Sequence, residues 1–256
     1  MNIVSMIRKI LCVLAGFTIA AMASAQSSPR ATSMNIVLVH GALIDGSSWR
    51  GVYDVLTKDG YRVSIVQEPL TGFDDDVAAT KRVLDRQDGP VVLVGHSYGG
   101  QIITVAGSDP KVKASVYVAA LQPDVGEISA DVYPPMAPAS EHLIATSDGF
   151  VFLDPKTFAN DVAADLPKPQ ADFMAHAQMP VLGAVFKTKL TIAAWHDKPS
   201  YAIVATEDRE LDPALALRMA KRAGSTVTML KASHLVHISQ PRAVARVIEA
   251  AARGAE

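Results

Sequence analysis

The stretch Val91-Val-Leu-Val-Gly95-His96-Ser97-Tyr98-Gly99-Gly100 decides the fold of this chain. It joins four β-branched or leucine residues to a Gly-x-Ser-x-Gly pattern, followed by a segment that we interpret as a helix. A serine on a sharp strand-to-helix turn has little room around it, so glycines are needed on either side. The N-terminus of the following helix favours negative charge on a substrate oxygen. The pattern therefore predicts that Ser97 is a nucleophile.

Strands and helices alternate on both sides of this turn. Five further apolar runs predict strands, and several are followed by helical spacing. Such alternation is typical of an α/β protein with a mostly parallel sheet and helices on both faces. We predict roughly six strands, at residues 35–39, 61–66, 91–94, 114–118, 201–206 and 226–231.

One long segment, at about residues 121–199, interrupts the alternation. It holds nine of the fifteen prolines and shows no clear strand period. A structureless loop of this length is improbable inside a compact domain. We therefore expect a small helical lid inserted into the α/β domain.

A serine hydroxyl needs a base, and the chain has seven histidines. Functional residues of an open α/β sheet cluster at the carboxyl ends of its strands. His234 follows the last predicted strand, and we favour it over its neighbour His237. His96 adjoins the nucleophile, so its ring should point elsewhere, and near His40 the backbone N–H groups matter more than the ring. The remaining three lie in the insertion: His142, His176 and His196.

Two aspartates that follow strands could orient the imidazole. Asp208 comes after the strand at 201–206, beside Glu207, which we expect to be the more exposed residue. Asp124 comes after the preceding strand and is a genuine alternative. We favour Asp208, and the order Ser97, Asp208, His234 matches the nucleophile, acid, base order expected along the chain of such a fold.

A Ser-His-Asp triad of this kind points to acyl transfer. His234 would take the proton of Ser97 as the hydroxyl attacks a carbonyl, and Asp208 would hold the imidazole in the required tautomer. We expect the backbone N–H groups of Ala42 and Tyr98 to bind the oxyanion. The reaction, hydrolysis of an ester, needs no metal ion and no organic cofactor.

The composition excludes several other classes of protein. Among 256 residues, 49% are hydrophobic and 20% are charged, which suits a folded domain and excludes a disordered chain. Lys and Arg number 24 against 26 Asp and Glu, for a net charge of −2. No basic surface for nucleic acid is therefore expected.

The N-terminus has the pattern of a secretory signal peptide. Arg8 and Lys9 precede the apolar run Ile10–Met22, and Ala23-Ser24-Ala25 forms a cleavage site. An uncleaved anchor is disfavoured, because the run is shorter than the roughly 20 residues that a membrane span needs. We expect a signal peptide at 1–25, a leader at 26–33, the catalytic domain at 34–256, and a periplasmic or secreted protein without stable membrane association.

The chain's one cysteine, Cys12, lies inside this predicted signal peptide. Cleavage would leave no cysteine in the mature protein. That loss would exclude thiol catalysis, disulfides and a cysteine-ligated metal.

These motifs resemble the α/β-hydrolase fold superfamily over nearly the whole chain after residue 25. The resemblance is closest to a small-esterase branch that includes plant methyl-ester hydrolases and hydroxynitrile lyases. It is carried by His40-Gly41-Ala42 with Trp49, by the Ser97 turn, by Thr206-Glu-Asp208, and by Ser233-His234. It implies a Ser97, Asp208 and His234 triad, an Ala42 and Tyr98 oxyanion hole, and a lid at the insertion.

Two positions depart from the plant-type lyases that share this resemblance. Leu235 stands where those lyases have a lysine, and Gly41 stands where they have a threonine. Without these groups, hydrolysis is favoured over cyanohydrin cleavage. A triad-bearing lyase, a perhydrolase, a cofactor-free oxygenase and a low-turnover ligand-binding relative stay open as alternatives.

The substrate is expected to be a small, uncharged and partly apolar ester. Apolar and aromatic residues are typical of such pockets, although most aromatic residues of the insertion are expected to form its own core. The candidate pocket residues are His40, Phe150, Phe158 and Trp195.

Overall fold

The apolar runs of the sequence form the strands of a computed structural model that describes residues 34–132 and 139–255. The strands are β1 (Asn35–Val39), β2 (Arg62–Ile65), β3 (Val91–His96), β4 (Val112–Val118), β5 (Leu143–Ala145), β6 (Phe150–Leu153), β7 (Val181–Leu182), β8 (Ser200–Ala205) and β9 (Thr226–Leu230). The α-helices are α1 (Arg50–Lys58), α2 (Phe73–Asp85), α3 (Gly99–Ala106), α4 (Ser129–Val132), α5 (Phe158–Asp161), α6 (Lys168–His176), α7 (Pro213–Arg222), α8 (Val236–Ser239) and α9 (Pro241–Gly254). Four 3₁₀ turns lie at Gly46–Trp49, Ala139–His142, Gly183–Lys187 and Ala194–His196.

Six strands form the main sheet in the order β2-β1-β3-β4-β8-β9, with every neighbouring pair parallel. Strands β1 and β3 are buried along their whole length, and β4 and β8 along nearly all of it. A strand covered on both faces must carry apolar residues at successive positions, which explains the continuous apolar runs. The predicted six-stranded parallel sheet is confirmed.

Helices cover the two faces of this sheet, as expected. Successive side chains of β1 point to opposite faces. Ile36 and Leu38 pack in one apolar core with residues of α1 and α9, whereas Val37 and Val39 pack in a second core with residues of α2 and α3. The sheet therefore separates two cores, and its carboxyl edge stays free for the loops that carry polar residues.

The segment between β4 and β8 differs from the predicted helical lid. Strands β5, β6 and β7 form a small antiparallel sheet, and the helices of this segment are short. Because β6 spans four residues and β7 only two, their strand period is too brief to recognise in the sequence.

The insertion packs on loops at the carboxyl edge of the main sheet. Its small core includes Leu153 and Phe158, and these residues share a cluster with Ile44, beyond β1, and Leu235, beyond β9. The insertion therefore covers the edge of the sheet at which the predicted site residues lie.

The predicted signal peptide and leader lie outside the described residues, so they stay predictions. Within the described part of the chain, no helix is long and apolar enough to cross a bilayer.

Candidate active site

Ser97 lies on a sharp turn between β3 and α3. Its φ of 51° falls in the left-handed region, where residues other than glycine are uncommon. A Cβ on Gly95 would lie only 2.5 Å from the carbonyl oxygen of Gly99, so the two arms of the turn can approach only without a side chain there. The turn holds the Ser97 side chain in a strained but well-defined position, as is common at functional sites.

Three side chains from distant parts of the chain meet at this turn. The His234 ring, which follows β9, lies with Nε2 2.9 Å from Ser97 Oγ. Its other nitrogen, Nδ1, lies 2.7 Å from Oδ2 of Asp208, which follows β8. With Nδ1 protonated, His234 donates to Asp208 and keeps a lone pair on Nε2 for the Ser97 hydroxyl. The structure thus brings together the three residues predicted from the sequence.

The environment of this histidine favours its charged form. His234 and Asp208 are each 5% exposed. Burial alone would lower the pKa of His234, but the charge of the Asp208 carboxylate and its hydrogen bond outweigh burial and raise that pKa. Asp208 is itself fixed, because its Oδ1 accepts hydrogen bonds from the backbone N–H groups of Glu210 (2.9 Å) and Leu211 (3.0 Å).

The rival histidine does not reach the serine. His237 is fully buried beside the rings of Trp49 and His96, with ring centroids 4.5 and 4.2 Å away. Burial lowers the pKa of His237 to about 3, so the ring is neutral. His96 supports the site from behind, since its Nε2 lies 3.0 Å from the carbonyl oxygen of His234.

The alternative acid has another partner. Asp124 Oδ1 lies 2.7 Å from Nε2 of His196, in the insertion. Burial opposes ionisation of this carboxyl, but the hydrogen bond from His196 lowers its pKa. Asp124 therefore forms a separate pair, and His234 has Asp208 as its carboxylate neighbour. Glu207 is exposed, as expected from the sequence.

The loop after β1 lies against the nucleophile turn. A Cβ on Gly41 would lie 2.9 Å from Cβ of Ser97, so the loop can come this close only with glycine there. Ala42 lines the cavity above Ser97, and Leu43 adopts a left-handed φ of 66°. These positions put the backbone N–H groups of Ala42 and Tyr98, the residue directly after Ser97, on the two segments that flank the serine.

A buried ion pair anchors this loop, and sequence reasoning missed it. His40 and Glu68 have fully buried side chains, with His40 Nε2 2.8 Å from Glu68 Oε2. His40 Nδ1 lies 2.8 Å from the carbonyl oxygen of Gly41 and donates to it. Burial would lower the pKa of His40, but Glu68 raises it above its ordinary value. Glu68 closely follows β2, so the rule that functional residues lie at strand ends could have identified it.

A second buried carboxyl holds the turn itself. Asp76 lies in the acidic first turn of α2. Asp76 is fully buried and accepts hydrogen bonds from the Tyr98 hydroxyl (2.8 Å) and from the Leu70 N–H (2.8 Å). Burial raises the pKa of Asp76 to about 6. The Tyr98 side chain is thus directed into this network, and only its backbone faces the serine.

Ser97 and His234 open into a cavity of about 300 Å³ between the main sheet and the insertion. Of the four pocket residues predicted from the sequence, Phe158 lines this cavity. The prediction for His40 is corrected, because its ring is buried against Glu68, at the base of the loop after β1. Most of the lining is apolar: Ala42, Leu43, Ile44, Leu121, Leu143, Val151, Phe158, Val162, Val181, Phe186, Leu211 and Leu235.

The other two pocket predictions are also corrected. Phe150 does not line the cavity; it pairs with Leu182 in the small sheet, and its neighbour Val151 lines the cavity instead. Trp195 donates from Nε1 to the carbonyl oxygen of Pro123 at 2.9 Å and packs beneath the guanidinium of Arg222. It therefore fastens the end of the insertion rather than the site.

The described residues include no cluster of three or more His, Cys, Asp or Glu side chains arranged to hold a metal ion.

Comparisons with known proteins agree with this fold. A model described as the alpha/beta hydrolase family matches residues 36–247. An alpha/beta hydrolase of Aspergillus novofumigatus is 26% identical over 242 residues, covering 85% of this chain and 96% of that protein. Methylesterase 2 of Arabidopsis thaliana is 27% identical over 158 residues, covering 56% of this chain and 58% of that protein.

Solved structures also share the architecture. The crystal structure of a pyrethroid hydrolase from Sphingobium faniae JZ-2 superposes with a TM-score of 0.73 at 24% identity, covering 86% of this chain and 97% of that one. At this level of identity the likeness concerns the fold.

Proposed function

Because the chain belongs to the alpha/beta hydrolase family, as its motifs predict, we propose that it is a serine hydrolase that cleaves a small, partly apolar carboxylic ester. One observation carries the proposal: the hydrogen-bonded series Ser97, His234 and Asp208 lies at a largely apolar cavity. A methylesterase among the similar proteins adds support, since its name describes ester cleavage.

The first half of the reaction acylates the serine. His234 Nε2, 2.9 Å from Ser97 Oγ, takes the hydroxyl proton as Oγ bonds to the ester carbonyl carbon. The carbonyl oxygen becomes an oxyanion, and the N–H groups of Ala42 and Tyr98 stabilise it. When the tetrahedral intermediate collapses, the bond from carbon to the alkoxy oxygen breaks. His234 gives its proton to the departing alcohol.

The second half releases the acid. Water loses a proton to His234 and attacks the acyl carbon, and the bond to Ser97 Oγ breaks as the serine recovers its proton. Throughout, Asp208 accepts the Nδ1–H of His234 and stabilises the imidazolium that forms twice in the cycle.

The pair of His40 and Glu68, next to the loop after β1, contributes to stabilising the oxyanion. The carbonyl of Gly41 and the N–H of Ala42 belong to one trans peptide group, so they point in opposite directions. His40 donates to the carbonyl on the buried side. The Ala42 N–H is thereby directed to the cavity side. Glu68 strengthens the hydrogen bond from His40 to the Gly41 carbonyl, and this bond polarises the peptide group so that the Ala42 N–H is a stronger donor. His40 and Glu68 act here as positioning residues.

A lyase that needs a cation next to the base is less well supported. The residue after His234 is Leu235, whose side chain is 2% exposed and lines the cavity. An apolar group at this place cannot stabilise a leaving anion. A low-turnover ligand-binding relative stays the other alternative, and it would label at Ser97 without releasing product.

The test measures hydrolysis of short-chain p-nitrophenyl esters and labelling by a fluorophosphonate probe. Wild-type protein should turn over the esters and become labelled, whereas Ser97→Ala should lose labelling and at least about 10³-fold of kcat. His234→Ala should be as severe as the serine change, and His237→Ala mild. Folded wild-type protein that neither turns over these esters nor labels at Ser97 would refute the proposal.

A further inference from the structure

Two polar side chains stand out in the mostly apolar wall of the cavity. Glu210 lies in the loop after β8, and Ser129 belongs to α4 of the insertion. The other polar side chains of the wall serve the triad: Ser97 and His234 contact each other, and His96 binds the His234 carbonyl.

Glu210 is held beside the triad with an unused carboxyl oxygen. Its backbone N–H donates to Asp208 Oδ1 at 2.9 Å, which fixes the residue next to the catalytic acid. Its Oε2 is buried and has no hydrogen-bond partner among the described residues. Desolvation is the main influence on this carboxyl, opposed by His234 and reinforced by Asp208 and Asp161, and it raises the pKa of Glu210 to about 7.

Ser129, which lines the same cavity, offers a second unused group from the insertion. Its side chain is 1% exposed, and its Oγ has no hydrogen-bond partner in the part of the chain that the structure describes. His96 Nδ1 is also unpaired, but Gly41 covers it, since a Cβ there would lie 2.8 Å from that nitrogen. Ser129 and Glu210 are therefore the unpaired polar side chains left for a ligand.

Buried polar groups are nearly always hydrogen-bonded, because leaving them unpaired costs free energy. A substrate group that pairs with them would recover that cost and gain specificity. We propose that Ser129 and Glu210 form a polar subsite that binds a hydroxyl substituent of the substrate, so that the preferred esters are hydroxy esters. This inference rests on the proposed esterase function and names its substrate class.

A hydroxyl fits this pair better than other polar groups do. With a pKa near 7, Glu210 is present both as carboxylate and as neutral acid at neutral pH. A hydroxyl donates to the first and accepts from the second, and it can pair with the serine hydroxyl in either direction. A substrate ammonium would lack a compensating charge whenever Glu210 is neutral, and it would be costly to desolvate in an apolar cavity. A ketone could only accept.

The experiment compares kcat/KM for matched methyl esters: butanoate, its 2-, 3- and 4-hydroxy forms, and the 3-oxo form. We expect at least one hydroxy ester to exceed butanoate by about tenfold, as one good hydrogen bond allows. Glu210→Leu should bring that ratio close to one, mainly through a higher KM for the hydroxy ester. Ser129→Ala, a smaller change, should lower the ratio by about threefold.

Leu143→Ala is the matched control, since Leu143 lines the same cavity with an apolar side chain. It should leave the ratio between hydroxy ester and butanoate unchanged, whatever happens to the separate rates. Circular dichroism checks that each variant is folded.

The outcomes separate this inference from the proposed function. If wild-type protein hydrolyses butanoate but prefers no hydroxy ester, or if Glu210→Leu and Ser129→Ala both keep the preference, the subsite is wrong and the esterase stands. A preference for the 3-oxo ester over every hydroxy ester also overturns it. Failure to hydrolyse any ester, with no labelling of Ser97, overturns the proposed function instead.

Discussion

Asp208 and Asp124 follow neighbouring strands of the main sheet, yet only Asp208 contacts His234. The difference lies in the loops: the one after β8 turns so that the backbone N–H groups of Glu210 and Leu211 bind the Asp208 carboxylate. Asp124 instead meets His196, which returns from the insertion. The two aspartates occupy similar positions in the sequence, each after a strand, and their contacts with other segments distinguish them.

The two aspartates should respond very differently to amidation. Asp208→Asn should lower kcat by about 10³–10⁴, because the amide no longer selects the productive tautomer of His234. Asp124→Asn should stay within about threefold of wild type and serves as the matched control. Steady-state kinetics on one ester measures both, and a larger loss in the Asp124 variant would contradict the assignment.

Asp208→Asn should also shift the pH dependence of activity in a defined direction. Only neutral His234 acts as a base, so kcat/KM of the wild type should rise with pH through the raised pKa of this histidine. Asp208→Asn removes the group that raises this pKa while burial, which lowers it, remains. The acid limb of the residual activity should therefore move to lower pH.

Glu68 offers a test of the positioning role. Glu68→Gln keeps the size of the side chain but removes the charge that raises the pKa of His40. We expect kcat to fall by about tenfold with KM changed less than twofold, because the oxyanion forms in the transition state and tetrahedral intermediate and is absent from the bound substrate.

Thr80→Val provides the control for Glu68→Gln. It removes only a 3.4 Å hydrogen bond to Glu68 Oε1 and should keep kcat near wild type. A purely structural role would be indicated if kcat and KM of Glu68→Gln changed equally. It would also be indicated if urea denaturation showed that the loss of activity follows from unfolding of the variant.

At the scale of elements, the site depends on how closely segments approach. The turn between β3 and α3 brings Gly95 against Gly99, and the loop after β1 brings Gly41 against Ser97. These contacts involve backbone atoms, which cannot move aside as a flexible side chain can. Gly95 and Gly41 are thus required because a side chain at either position would collide with the neighbouring segment.

Gly95→Ala should distort this turn. The new methyl group would lie 2.5 Å from the Gly99 carbonyl oxygen, so we expect about 1–3 kcal/mol lower stability and a loss of most activity. Gly89→Ala is the control, since a methyl group there meets nothing closer than 3.5 Å and should change stability by less than about 0.5 kcal/mol. Urea denaturation with parallel activity measurements compares the two, and equal stabilities would contradict the argument.

At the scale of the whole molecule, the main sheet positions the polar residues of the site and the insertion covers them. The six parallel strands end together, so the residues after β1, β3, β8 and β9 converge on one edge. The insertion then closes a cavity of about 300 Å³ over that edge and supplies much of its apolar wall. The predicted catalytic side chains thus lie at the sheet edge, and the contact between sheet and insertion shapes the cavity that they face.

The sequence alone was enough to predict the parallel sheet, the sharp turn at Ser97, and the meeting of the Ser97, Asp208 and His234 side chains. These features depend on local patterns: apolar runs for buried strands, glycines for a tight turn, and polar residues after strand ends. It failed for the insertion, where strands of two to four residues carry too short a period, and for Phe150 and Trp195, whose roles depend on nonlocal packing.

Only the tertiary structure decided which polar groups meet. Two contacts join residues far apart in the chain: the pair of His40 with Glu68, and the hydrogen bond from Tyr98 to Asp76. Packing also leaves buried atoms of Glu210 and Ser129 without a hydrogen-bond partner among the described residues. Burial and hydrogen-bond partners depend on how segments pack in three dimensions, and no local pattern encodes that packing. The sequence by itself determined which polar side chains follow the strands at the sheet edge, because that placement depends on local patterns. The tertiary structure decided which of these side chains meet and which cavity they face, because those contacts depend on packing between distant segments.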